Sequence, residues 1–151
     1  MGSRVALLDV NVLIALFFPD HVHHEIAHDW FADHRRYGWA TCPVTENGFV
    51  RVVTQLRTER GIVRPSQAIQ HLTDFCSDRH HHHWQTGVSL TDARLFAPEN
   101  IPHHKAVTDV YLLGLAHTMK GCLATFDRSV PLDAVRGALG SAVQVIGPVS
   151  A

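Results

Sequence analysis

The chain has no paired cysteines, no long apolar run and no excess of one charge, and each shortage excludes a class of protein. Its three cysteines lack CxxC spacing, so neither a zinc ribbon nor a disulfide framework is indicated. The longest apolar run, residues 12–18, is far too short to span a membrane. Asp9 and Asn11 interrupt the apolar stretch that a signal peptide would need. We therefore expect a cytoplasmic protein without a membrane segment.

The charges are nearly balanced, with 13 Lys and Arg against 14 Asp and Glu and a net charge of -1. This balance excludes a uniformly basic surface, so a nucleic-acid partner would have to bind a local patch. Hydrophobic residues make up 46% of the 151 residues and charged residues 18%, which excludes a disordered tail and a long coiled coil. We expect a single domain over residues 1–151.

Short apolar runs alternate with amphipathic segments along the chain. Strands are predicted at residues 4–8, 39–42, 87–90, 122–126 and 142–146. Helices are predicted over residues 11–18 with Asn11 as the cap, from residue 20 or 21 to about 36, from Pro43, from Ser66 to the histidine run, briefly from Thr91, and over residues 108–119. Alternation of this kind predicts an α/β fold, a parallel sheet with helices on both faces.

Four acidic residues stand out in this pattern. Asp9 and Asp127 directly follow apolar strands, and Glu46 and Asp109 lie early in helices among apolar neighbours. The carboxyl ends of parallel strands line the ligand crevice of such a sheet. Close carboxylates repel by roughly 4 kcal/mol per pair at an effective dielectric near 20, so a cluster needs protons or a cation. An all-oxygen set favours Mg²⁺ or Mn²⁺ over Zn²⁺.

Each acid taken singly also has a structural interpretation of about equal weight. Asp109, after Thr108, could complement a helix dipole, and Glu46 could belong to a capping box. Four acids placed together at strand ends and helix starts favour a functional site.

Four segments, in this order, resemble the PIN-domain ribonucleases, specifically the VapC-type toxins of toxin–antitoxin pairs: LLDVNVLIAL, CPVTENGFVRVV, VTDVYLLGLA and LATFDRSV. The resemblance covers nearly the whole chain. It implies a PIN-like α/β fold and an endoribonuclease that hydrolyses RNA phosphodiesters with Mg²⁺ or Mn²⁺, leaving a 5′-phosphate and a 3′-hydroxyl. It also implies a VapB-like antitoxin as partner and a homodimer.

The resemblance implies an acidic site formed by Asp9, Glu46, Asp109 and Asp127. Asp9 and Asp109 would be the primary metal ligands, and Asp127 a ligand or a residue that holds one. Glu46 would be a ligand or would orient the attacking water. Asn11 and Thr108 would support the site.

Arginines near these acids are candidate RNA contacts, since a guanidinium binds phosphate in a bidentate manner. We select Arg51, Arg57 and Arg128, with a solvated helix face as the alternative interpretation. The internal histidine run, residues 80–83, is interpreted as a surface feature rather than a dedicated metal sensor. Three other functions stay open: a non-catalytic PIN-like binding module, a histidine-rich metal-binding protein, and a DNA-directed nuclease.

Overall fold

A five-stranded parallel sheet forms the centre of the computed structural model, which describes residues 4–85 and 87–147. Its strands lie in the order β5–β2–β1–β6–β7. Their bounds are Ala6–Leu8 (β1), Trp39–Thr41 (β2), His81–His83 (β5), Cys122–Thr125 (β6) and Val143–Val145 (β7). A separate antiparallel hairpin joins β3 (Arg57–Thr58) to β4 (Gly61–Ile62). Because all strand pairs in the main sheet are parallel, a crossover connection must return the chain to the starting edge of the sheet before each new strand.

Helices make most of these crossings and cover both faces of the sheet. They are α1 (Val10–Phe17), α2 (His24–His34), α3 (Pro43–Val53), α4 (Pro65–Phe75) and α5 (Val107–Thr118). Successive side chains of β1 point to opposite faces. Ala6 and Leu8 therefore pack into the core with α1 to α4, and Leu7 packs into the core with α5. The predicted α/β fold with helices on both faces is confirmed.

Three local predictions were wrong. Asp9 caps α1 in place of Asn11, because its Oδ1 accepts a hydrogen bond from the Val10 amide at 2.7 Å. The histidine run forms the edge strand β5, whereas residues 87–90 form no strand and the segment from Thr91 forms turns rather than a helix. Strand β5 forms through backbone hydrogen bonds with β2. The pattern of apolar side chains does not predict such pairing at the edge of a sheet. No helix in the described ranges is long and apolar enough to cross a membrane.

Close packing between α5 and the loop that precedes it predicts a large effect of one methyl group. A Cβ on Gly114 would lie 2.3 Å from Cζ of the buried Phe96 ring. We expect Gly114→Ala to lower the free energy of unfolding by about 1–3 kcal/mol, since overpacking forces the ring to shift. Gly140→Ala is the matched control, because nothing lies within 4 Å of its Cβ position. Equal urea midpoints for the two variants would contradict this packing.

Candidate active site

The carboxyl ends of β1 and β6 open into a cleft of about 640 Å³. Leu8 and Ala124 are partners in the parallel ladder, so the residues that follow them emerge at the same edge of the sheet. Asp9 comes from the end of β1 and Asp127 from just beyond β6, while the first turn of α5 contributes Asp109. The described side chains thus bring three of the four predicted acids to one cleft.

Asp9 is the most buried of these acids, with 7% of its surface exposed. Its Oδ1 accepts the Val10 amide hydrogen bond, and its Oδ2 accepts one from the Thr125 hydroxyl at 3.0 Å. Burial raises the pKa of Asp9, and these two hydrogen bonds oppose the rise. The Thr125 hydroxyl oxygen also accepts a hydrogen bond from the Asp127 amide at 3.1 Å. Thr125 therefore connects the two acids that end neighbouring strands.

The carboxyl groups of Asp109 and Asp127 share a hydrogen bond and differ in their preferred charge state. Burial, followed by the negative charges of Asp9 and Asp127, raises the pKa of Asp109 to about 7. Hydrogen bonds from the hydroxyl and amide of Ser129, at 2.6 and 2.8 Å, lower the pKa of Asp127. Asp109 is therefore the protonated partner of the pair below neutral pH.

This carboxyl cluster has the chemistry of a hard-cation site. Across residues 4–85 and 87–147, no group of three or more His, Cys, Asp or Glu side chains is already arranged to hold a metal ion. Burial and the negative charges of Asp9 and Asp127 nevertheless raise the pKa of Asp109, and a cation would stabilise these carboxylates in place of the proton. The donors are all carboxylate oxygens, which suits Mg²⁺ or Mn²⁺. Asp9, Asp109 and Asp127 are the residues that could hold such an ion.

Polar and basic side chains complete the lining of the cleft. Asn11 and Thr108, both predicted to support the site, lie there, as does Arg51. Of the other two arginines selected from the sequence, Arg57 lies on the β3–β4 hairpin and Arg128 directly follows Asp127, and the cleft lining includes neither. The cleft therefore has both anionic and cationic groups.

Glu46 does not share this cleft. One face of α3 lines the cleft, with Val44, Gly48 and Arg51 about one helical turn apart. Glu46 lies on another face of this helix and lines a neighbouring cavity of about 750 Å³. Its Oε2 accepts a hydrogen bond from the Thr41 hydroxyl at 2.7 Å and pairs with Nδ1 of His83 at 2.8 Å. Three of the four predicted acids therefore meet in the cleft. Hydrogen bonds to Thr41 and His83 hold the Glu46 carboxylate in the neighbouring cavity.

Sequence reasoning missed Asn47, Lys105 and Thr125, which also line the cleft. Thr125 carried a readable signal, since it is a polar residue at the end of an apolar strand, two residues before an acid. Asn47 and Lys105 had no such signal, because only the folded arrangement of α3 and of the segment before α5 brings these exposed residues to the cleft.

The chain is similar to several ribonucleases of Mycobacterium tuberculosis. It is 44% identical to Ribonuclease VapC44 over 133 residues, which are 88% of this chain and 93% of that protein. Identity to Ribonuclease VapC39 is 39% over 132 residues, 87% of this chain and 95% of the relative. Ribonuclease VapC38 is 37% identical over 129 residues, 83% and 87% of the two chains. No protein-family model matches the sequence.

The raised pKa of Asp109 predicts how stability depends on pH without divalent cations. The folded chain keeps a proton on Asp109 that the unfolded chain releases between its usual pKa of 3.8 and about 7. The free energy of unfolding should therefore fall as the pH rises through this window. Asp109→Asn keeps a neutral hydrogen-bond donor, so we expect it to raise the melting temperature at pH 8 by about 3 °C or more and to change it little at pH 4.

Thermal unfolding in EDTA at the two pH values measures this effect. Asp133→Asn is the control, because Asp133 is an exposed carboxylate outside the cleft. An Asp109→Asn protein that melts no higher than wild type at pH 8 would contradict repulsion within the cluster.

Proposed function

This chain belongs to the VapC family of PIN-domain ribonucleases, and we propose that it is an endoribonuclease toxin whose site is the three-carboxyl cleft. The observation that supports this most strongly is the convergence of Asp9, Asp109 and Asp127 in one cleft at the carboxyl ends of β1 and β6. Burial and the neighbouring negative charges raise the pKa of Asp109 there, and a bound cation would stabilise its charged form.

Each acid has a distinct part in the proposed reaction. Asp9 is held rigidly by Val10 and Thr125, whereas Asp109 and Asp127 share a proton that a cation would replace. These three carboxylates would hold Mg²⁺ or Mn²⁺, which when bound lowers the pKa of water and neutralises charge on the departing oxygen. Hydrolysis breaks the bond between phosphorus and the 3′ oxygen, so the products carry a 5′-phosphate and a 3′-hydroxyl.

Basic side chains at the same cleft support an anionic substrate. Arg51 and Lys105 are exposed at its lining, and neither pairs with a carboxylate within 4 Å in the part of the chain that the structure describes. In this proposal they bind phosphates of the RNA backbone near the scissile bond. Arg57 and Arg128 belong to this proposal as more distant RNA contacts.

Glu46 keeps a role in the proposal as the group that orients the attacking water. It lies next in sequence to Asn47, which lines both the cleft and the neighbouring cavity. To act, the Glu46 carboxylate must leave the Thr41 hydroxyl and the His83 imidazole. The His83 contact therefore competes with the catalytic position of this carboxylate.

A VapB-like antitoxin and a second copy of the chain are the proposed partners. The names of the relatives mark one half of a toxin–antitoxin pair. Exposed apolar side chains on α4 and the β3–β4 hairpin, among them Ile62 and Ile69, offer surface for protein contacts. The family resemblance implies the same two partners.

Removing one carboxylate charge should abolish cleavage. We expect Asp9→Asn and Asp109→Asn to reduce the rate by roughly 100-fold or more, since each removes a proposed ligand. EDTA should have the same effect on wild type, and Mg²⁺ or Mn²⁺ should reverse it. The measurement is cleavage of total bacterial RNA, with the new ends sequenced and the fold checked by circular dichroism. Asp133→Asn is the matched control, and full activity of Asp9→Asn would refute the assignment.

The competition at Glu46 predicts opposite effects of two neighbouring substitutions. Glu46→Gln should slow cleavage by roughly 10-fold or more, because it removes the base that orients water. His83→Ala should raise the rate above that of wild type, because it removes one of the two contacts that hold the Glu46 carboxylate away from the cleft. Single-turnover rates on one RNA substrate measure both effects. If Glu46→Gln cleaves as fast as wild type, Glu46 has no part in the reaction.

A further inference from the structure

Three aromatic rings lie together beside the cleft, and one of them, Phe126, lines it. The loop between α1 and α2 brings His21 and His23 against Phe126, the residue that precedes Asp127. The ring centroids of His23 and Phe126 are 4.6 Å apart with planes inclined by 33°, and those of His21 and Phe126 are 6.3 Å apart with planes inclined by 24°. We call His21, His23 and Phe126 the aromatic rim.

The aromatic rim is held in place by the backbone. The His23 amide donates a hydrogen bond to Nδ1 of His21 at 3.0 Å, which fixes the orientation of the His21 ring. The His21 amide bonds the Phe18 carbonyl at 3.1 Å, and the His24 amide bonds the His21 carbonyl at 3.0 Å. Phe126 packs against the core below. A ligand that stacks on these rings would therefore cost little ordering of the protein.

The three rings are less buried than core residues. All three remain partly exposed, and Val22, between the two histidines, is 83% exposed. Phe126 lines the cleft together with its neighbours Thr125 and Asp127. An aromatic surface therefore borders the carboxyl cluster, where a core would have buried it.

We propose that the aromatic rim is a stacking subsite for one unpaired base of single-stranded RNA, next to the phosphate bound at the carboxyl cluster. This inference rests on the proposed function, which places an RNA phosphate in the cleft. Arg51 and Lys105 would bind the backbone, and the base beside that phosphate would turn towards Phe126. Stacking on aromatic rings tolerates every base, because each has a π face. The subsite therefore selects unpaired RNA rather than a particular sequence.

Fluorescence of a base analogue tests this subsite without any cleavage. The probe is a set of short oligouridine RNAs with one 2-aminopurine at successive positions, bound in EDTA at low salt. Because the subsite accepts every base, we expect quenching of 2-aminopurine at one or more positions on wild type. His23→Ala should weaken binding of that RNA by roughly 5-fold or more and relieve the quenching. The side chain of His23 makes no capping hydrogen bond to α2, so its removal leaves the helix start intact.

Two further variants separate stacking from other effects. His23→Phe should restore the quenching, because it restores a ring without a titratable nitrogen. Val22→Ala changes the same loop without changing a ring, so it should bind like wild type. Unchanged quenching in His23→Ala would overturn the proposal, as would His23→Phe behaving like His23→Ala. Weaker binding with quenching preserved would also overturn it, since it would mean that the histidines contact phosphate instead.

The same RNAs distinguish failure of this inference from failure of the proposed function. Wild type that cleaves them in Mg²⁺ but quenches at no position keeps the nuclease and refutes the stacking subsite. Wild type that neither binds nor cleaves any of them refutes both. Cleavage mapping in Mg²⁺ also shows whether the quenched position adjoins the scissile phosphate, and a distant position would contradict the placement beside Phe126.

Discussion

The site depends on the two hydrogen bonds that the buried Asp9 carboxyl group accepts. One oxygen caps α1 through the Val10 amide and the other accepts the Thr125 hydroxyl at the end of β6. The junction of β1 with α1 is thereby tied to the neighbouring strand. Because the same threonine accepts the Asp127 amide hydrogen bond, any movement of Asp9 would also move the other strand-end acid. The helix cap and the site geometry are therefore one set of hydrogen bonds.

This arrangement leaves Asp109, the third acid, partly buried and close to two other carboxyl groups. Asp109 lies on a buried helix close to two carboxylates whose positions are already set, so its pKa rises to about 7. The protein can relieve the repulsion by holding a proton or by binding a cation. A proton and a cation would therefore compete for one place.

The positions of Asp9 and Asp127 could be predicted from the sequence, because both follow strands and a parallel sheet brings the carboxyl ends of its strands to one edge. Asp109 and Glu46 were both predicted from a place early in a helix, and that prediction failed for Glu46. Its neighbours were apolar, but the helical phase of α3 and the hydrogen bonds to Thr41 and His83 direct it into the adjoining cavity. The histidine run was misplaced for a related reason. Strand β5 forms by backbone pairing with β2, and histidine side chains give no periodic signal for it.

The near balance of charges extends to the cleft. The carboxyl groups of Asp9, Asp109 and Asp127 line it together with Arg51 and Lys105. An RNA strand could therefore meet cations along its backbone and acids at a single phosphate, which a uniformly basic surface would not provide. The aromatic rim adds a ring surface beside the acids, because Phe126 lines the cleft next to Asp127. Acidic and basic side chains and the Phe126 ring thus line one cleft, in a chain whose net charge is only -1.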